Sequence, residues 1–218
     1  MTTTTPQPLW LALDTATENL GLALVGRVNA AHSEVVWRGL SARLHPALAE
    51  LLANHQVAWA DLSGIVVNLG PGSFTSIRIG LATARGLALP LSTPILGVDG
   101  FRVMAAPLSG QPVGVWFTAV GDEVYFQYFD AAGAALTEPA VGPAPEALGQ
   151  CPAGTVLVGN AVAHHAALLA TRPDITPRPE LRYPDPQVLG QLALAGQASP
   201  SLKPLYLRAL QYRKLTAS

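Results

Sequence analysis

Apolar positions along the chain fall into short runs of two periods. Residues 9–16 (LWLALDTA) are an almost unbroken apolar stretch containing Asp14, the pattern of a strand covered on both faces. After a brief polar turn, 19–26 (NLGLALVG) reads as its hairpin partner and 34–39 (EVVWRG) as a third strand. The period then changes. Over 41–54, Leu44, Leu48, Leu51 and Leu52 recur at helical spacing, with Pro46 expected in the first turn, where its missing N–H costs little. Residues 62–70 (LSGIVVNLG) form a fourth strand, a helix runs from about Ser76 to Leu89 and stops at Pro90, and 93–100 (TPILGVDG) is a strand and turn. The order β-β-β-α-β-α-β is that of a ribonuclease-H-like half.

The second half repeats the theme. Residues 113–130 (VGVWFTAVGDEVYFQYFD) alternate as two strands joined at Gly121 and Asp122, 137–155 reads as Pro/Gly-rich connection, and 156–159 (VLVG) is a buried strand before a helix over 161–170. A proline-studded loop follows, then a helix near 186–197 and a tail containing PLYLRALQYRKL. The expected division is a disordered 1–8, a first lobe over 9–104 and a smaller second lobe over 105–218. The fold class is α/β, two-lobed, with mixed sheets and flanking helices.

Composition narrows the chemistry. Half of the 218 residues are hydrophobic, 12% are charged and the net charge is −1, so no global field draws nucleic acid, DNA included, or anionic lipid. Cys151 is the only cysteine, which excludes an intrachain disulfide and any Cys-based zinc site. The start MTTTTPQPLW lacks the basic and apolar regions of a signal peptide, and the apolar runs fall far short of the ~20 residues that span a bilayer. A cytoplasmic protein is expected, with no membrane partner. His164 and His165 are adjacent rather than four apart, and His32, His45 and His55 make no i, i+4 pair, so no metal site is assigned. No catalytic residue is assigned either.

Two stretches invite a functional reading. Asp14 and Thr15 end the first strand, and GPGSFTS (70–76) joins a strand to a helix, where backbone N–H groups and the helix dipole favour an anion. The candidate nucleotide or phosphate residues are therefore Asp14, Thr15, Gly70, Gly72, Ser73 and Thr75. The same residues also serve as turn and cap residues. Ala16 stands where a phosphate hairpin needs glycine, Glu18 adds like charge, and no Lys follows the glycine loop, so a structural turn with a weak anion site is favoured. In the helix behind it, Ser76, Gly80, Ala84 and Ala88 recur every four residues. Glycine inside a helix costs about 1 kcal/mol against alanine, which close approach to another element offsets. That element is either the helix's own sheet or a partner. The partner face is assigned to Leu44, Leu48, Leu51 and Leu52 together with Ser76, Gly80, Ala84 and Leu87.

LALDTAT, GPGSFTSIRIG followed by GLAL, the GDEVYF hairpin and PLYLR occur in an order that resembles the bacterial TsaB (YeaZ) family. Ser76 replaces the family's usual glycine, and Thr118, Ala119 and Val120 stand where relatives often carry Asp-Ala-Arg. The resemblance implies the two-lobed fold of actin, Hsp70 and sugar kinases. It also implies a non-catalytic role in forming N6-threonylcarbamoyladenosine at tRNA position 37. The expected partners are the catalytic subunit TsaD, the ATPase TsaE, a second copy when alone, and tRNA through the complex. No cofactor is expected on this chain alone; ATP or ADP with Mg2+ belongs to the assembled complex. The rival readings are a small kinase or ATPase using Asp14, Ser73 and Thr75, a glycoprotease-like metallopeptidase, and tRNA binding by the basic and aromatic tail (Tyr206, Arg208, Tyr212, Arg213, Lys214).

Overall fold

Strand β1 (Leu9–Asp14) is flanked on one side by β2 (Asn19–Gly26) and then β3 (Ala30–Val35), and on the other by β4 (Gly64–Asn68) and then β5 (Ile95–Val98), giving the order β3-β2-β1-β4-β5. The computed structural model describes residues 7–208. The first three strands are antiparallel, with Leu11 opposite Leu24 and Leu13 opposite Leu22, while β4 and β5 run parallel to β1. The unbroken apolar reading of β1 follows from burial on both sides: Leu9, Leu11 and Leu13 join one core cluster and Ala12 another. The third strand lies four residues earlier than expected, because Val35 ends the pairing and Trp37 and Arg38 are exposed.

Helices α1 (Leu40–Asn54) and α2 (Phe74–Ala88) cover the face of the sheet that carries Leu11 and Leu13. Here one expectation is corrected. Leu44, Leu48, Leu51 and Leu52 are 0 to 5% exposed and pack into the lobe's own core, so they are not a partner face. Each such leucine contributes on the order of 2 kcal/mol by leaving water, and the sheet is the nearest apolar surface that provides this. Pro46 also sits deeper in the helix than the first turn. It removes the bond to the Ala42 carbonyl, but both residues lie on the exposed side, where water serves instead.

The second sheet retraces the same path. Strands β6 (Val113–Thr118), β7 (Glu123–Phe129) and β8 (Ala140–Pro143) form an antiparallel meander, β9 (Val156–Val158) pairs parallel to β6, and β10 (Thr176–Pro177) parallel to β9. Two ribonuclease-H-like halves make the two-lobed α/β architecture of the actin, Hsp70 and sugar-kinase fold. The Pro/Gly-rich 137–155 is not mere connection: it holds β8 and a further helix, Ala144–Gln150. Its prolines sit at the helix entry, where they are tolerated, and Ala144, Ala147 and Leu148 give a buried face. The helix expected over 161–170 shrinks to Ala166–Leu169, because the chain before it closes i→i−3 turns at Val162 and His164.

A linear cut at 104/105 does not follow the packing. In chain order, α3 is Gly100–Ala105, α4 and α5 are the two short helices just described, and α6 is Pro186–Leu194. Phe101 and Met104 of α3 pack with Val113, Phe117 and Phe129 of the second sheet. Leu189 and Leu192 of α6 return to cover Ala12, Ala23 and Val66 of the first. The segment after α6 adds to the first lobe through Ser199 paired with Gly97 and Leu205 N–H donating to Leu69 O at 2.8 Å. Among the described residues no helix is long and apolar enough to cross a membrane.

Candidate functional site: the interlobe cleft

The turn between β1 and β2 and the loop after β4 meet at the floor of a cleft of about 390 Å3 between the lobes. Ala16, Thr17, Glu18, Gly72 and Ser73 form its base; Val36, Trp37 and Leu40 form one wall, and Thr118, Val120, Tyr125 and Asn160 face them from the second lobe.

The loop is sewn to the turn. Ser73 N–H donates to the Ala16 carbonyl at 2.8 Å, and a Cβ on Gly72 would lie 1.9 Å from that same oxygen, so only glycine allows the approach. Ala16 N–H is engaged by Asp14 Oδ1 at 2.9 Å. Ser73 Oγ caps α2 by accepting from Ser76 N–H at 3.3 Å, and Thr15 Oγ1 donates to Ser76 O at 2.8 Å. The backbone donors a phosphate would need at Ala16 and Ser73 are therefore committed within the chain.

The six candidate phosphate residues do not converge. Gly72 and Ser73 line the cleft, whereas Asp14 and Thr15 are buried beneath it. Gly70 turns away, its carbonyl accepting from Gly100 N–H at 2.7 Å, and Thr75 is exposed outside the cleft lining. Asp14 is fully buried, with Oδ2 lacking a hydrogen-bond partner among the described residues. Burial pushes its carboxyl up to about 6; the Ala16 N–H and the nearby Asn68 amide, which does not reach hydrogen-bonding geometry, only partly oppose that.

The residues assigned to a partner face are also accounted for inside the lobe. A Cβ on Gly80 would come within 2.4 Å of Thr15 Oγ1, so this glycine serves the turn-to-helix contact; Ala84 is buried, and Ser76 and Leu87 are half-buried. What the leucine pattern hid is the opposite side of each helix. On α1, Ala42, Pro46, Ala49 and Ala53 are exposed in one stripe; on α2, Ala82, Gly86 and Leu89 just beyond its end are exposed in another. Among the described residues, nothing beyond the helix's own backbone lies within 4 Å of where a Gly86 Cβ would stand. Their signal was present as small residues at i, i+4, i+7, i+11 among the polar positions.

Elsewhere, Tyr206 stacks on Phe74 with centroids 4.8 Å apart and Arg208 pairs with Glu123 at 3.2 Å, so the described part of the tail packs on its own chain. Tyr212, Arg213 and Lys214 lie outside the described residues. Asp122 is exposed. Thr118, in the departing triplet, donates its N–H to Asn160 Oδ1 at 2.9 Å, and Val120 is exposed at the cleft mouth. Among the described residues no three His, Cys, Asp or Glu side chains gather as metal ligands.

Comparison with known proteins places this geometry in a lineage. The family model described as TsaD, tRNA N6-adenosine threonylcarbamoyltransferase, matches residues 31–188. The chain is 40% identical over 97 residues to the tRNA threonylcarbamoyladenosine biosynthesis protein TsaB of Escherichia coli, a match covering 44% of this chain and 42% of that protein. The matched segment thus spans less than half of that curated relative. An uncharacterized protein of Mycobacterium tuberculosis is 32% identical over 206 residues, covering 91% of this chain and 90% of that one. The structure of YeaZ from Pseudomonas aeruginosa superposes with a TM-score of 0.75 at 27% identity, covering 92% of this chain and all of that one (100%). The chain belongs to the family described by the TsaD model and, within it, to the TsaB (YeaZ) group.

Proposed function

We propose that this chain is a non-catalytic scaffold in the formation of tRNA N6-threonylcarbamoyladenosine, docking on a TsaD catalytic subunit through the outer faces of α1 and α2. The observation that carries this reading is Gly86. A glycine near the end of α2 costs about 1 kcal/mol against alanine, and among the described residues no other part of the chain comes within 4 Å of its Cβ position. A second helix packed across the Ala49 and Gly86 stripes would offset that cost by close backbone contact. The commitment of the Ser73 and Ala16 donors within the chain supports a cleft without phosphate chemistry of its own, against the kinase or ATPase reading. In this proposal two copies pair by the same face when TsaD is absent. TsaE, tRNA, and ATP or ADP with Mg2+ enter with the assembled complex, in the cytoplasm.

The test pairs Gly86→Arg with Ala49→Glu, both at exposed positions. The variant is expected to fold as the parent does, to stop co-eluting with TsaD from the same organism, and to fail in restoring the modified nucleoside to a strain lacking this chain. A double variant that still co-elutes and supports modification removes the interface from these faces. Gly80→Arg or Leu48→Glu would not serve, because both positions are buried and report on folding.

A further inference from the structure

Glu18 belongs to the first lobe, where its carbonyl accepts from Val36 N–H at 2.7 Å, yet its side chain is held by the second. Asn160 Nδ2 donates to both carboxylate oxygens at 3.3 and 3.2 Å, and the Tyr183 hydroxyl donates to Oε1 at 2.9 Å. The Arg182 guanidinium stands 4.0 Å away. These partners are themselves fixed to the second sheet. Asn160 Oδ1 accepts from Thr118 N–H, which fixes its amide with Nδ2 toward Glu18, and the segment bearing Arg182 and Tyr183 is anchored where Gly159 N–H donates to Leu181 O at 2.8 Å. Among the described residues, Glu18 is the sole charged side chain lining the cleft.

An amide N–H and a phenol donating to one carboxylate, with a guanidinium 4.0 Å away to balance its charge, is a set that recognises a small carboxylate or phosphate. Here that set is filled from within. We infer that Glu18 is a tethered anion: it occupies a carboxylate-sized subsite built by Asn160, Tyr183 and Arg182, and so latches the two lobes across the cleft. The latch sets the lobe angle without a bound ligand, and an added anion meets a site already taken. The inference stands apart from the docking proposal, because it concerns the isolated chain and a different surface.

The experiment uses the full chain alone. Glu18→Ala empties the subsite while leaving its donors. Hydrogen exchange at 16–19 and 160–162 is expected to quicken by at least about tenfold, the equivalent of one of the charge-assisted hydrogen bonds lost, with a larger radius of gyration by X-ray scattering. Formate, a free carboxylate, is expected to restore both readings toward wild type, whereas sodium chloride at the same ionic strength does not. Asn160→Asp keeps the acceptor for Thr118 N–H but sets a like charge against Glu18, and it is expected to open the lobes without rescue by formate. The inference is overturned if Glu18→Ala retains wild-type exchange and scattering, or if formate and chloride act alike. Should Glu18→Ala not fold, wild-type exchange in Asn160→Asp overturns it equally.

Discussion

Replacing Asp14 by asparagine tests whether the buried carboxylate is a liability that the fold tolerates. Its carboxyl is raised from 3.8 to about 6 by burial, with Oδ2 unpartnered. Between those values the folded chain holds a proton that the unfolded chain has released, so stability falls as pH rises from 3.8 to about 6. Above that window the whole penalty is present. At about 1.4 kcal/mol per pH unit it amounts to about 3 kcal/mol. Asparagine keeps an oxygen for Ala16 N–H and carries no charge, so Asp14→Asn should be about 3 kcal/mol more stable than wild type at pH 7.5 and nearly equal to it below pH 4. For a chain of this size that is roughly 6–12 °C in Tm. Urea unfolding of both proteins between pH 3.5 and about 8 (a range that brackets the titration) gives the difference curve, in which groups common to both cancel. A difference that does not change with pH, or a variant less stable than wild type at pH 7.5, refutes the assignment of the raised carboxyl to Asp14.

Two glycines six residues apart on α2 separate packing inside the lobe from an open face. Gly80→Ala should lose about 1–3 kcal/mol, because its Cβ would meet Thr15 Oγ1 at 2.4 Å, whereas Gly86→Ala should gain up to about 1 kcal/mol; thermal unfolding of the isolated chain reads both. Leu48→Ala should cost about 2–5 kcal/mol in urea unfolding, as a core leucine does, and an effect within about 0.5 kcal/mol would return that side chain to the surface.

The first lobe was legible because its signals are local. Alternation, an unbroken apolar strand and a 3.6-residue leucine period place β1, β2, α1 and α2 within a few residues. The same leucine period could not say what the apolar face meets, since a sheet and a partner helix ask for the same pattern. The burial of Leu44 and Leu48 resolves it, and the exposed stripe through Ala49 and Gly86 carries the residue types that a close helix contact needs. Helix α4 was masked by prolines that read as loop and act as a helix start. Glu18 lies 142 residues from Asn160 and 165 from Tyr183, so no sequence window could join them.

The return of α6 to the first sheet has a consequence for how the chain is made. Leu189 and Leu192 complete the cover that Val103 of α3 begins over the face holding Ala12, Ala23 and Val66, and Gly190 seats so closely that a Cβ there would clash with Val25 at 2.4 Å. A nascent chain therefore leaves the ribosome with one side of its oldest sheet only partly covered until α6, the last described helix, emerges. Birth order and closing order run opposite, and the amino-terminal half waits for the carboxyl-terminal half to seal it.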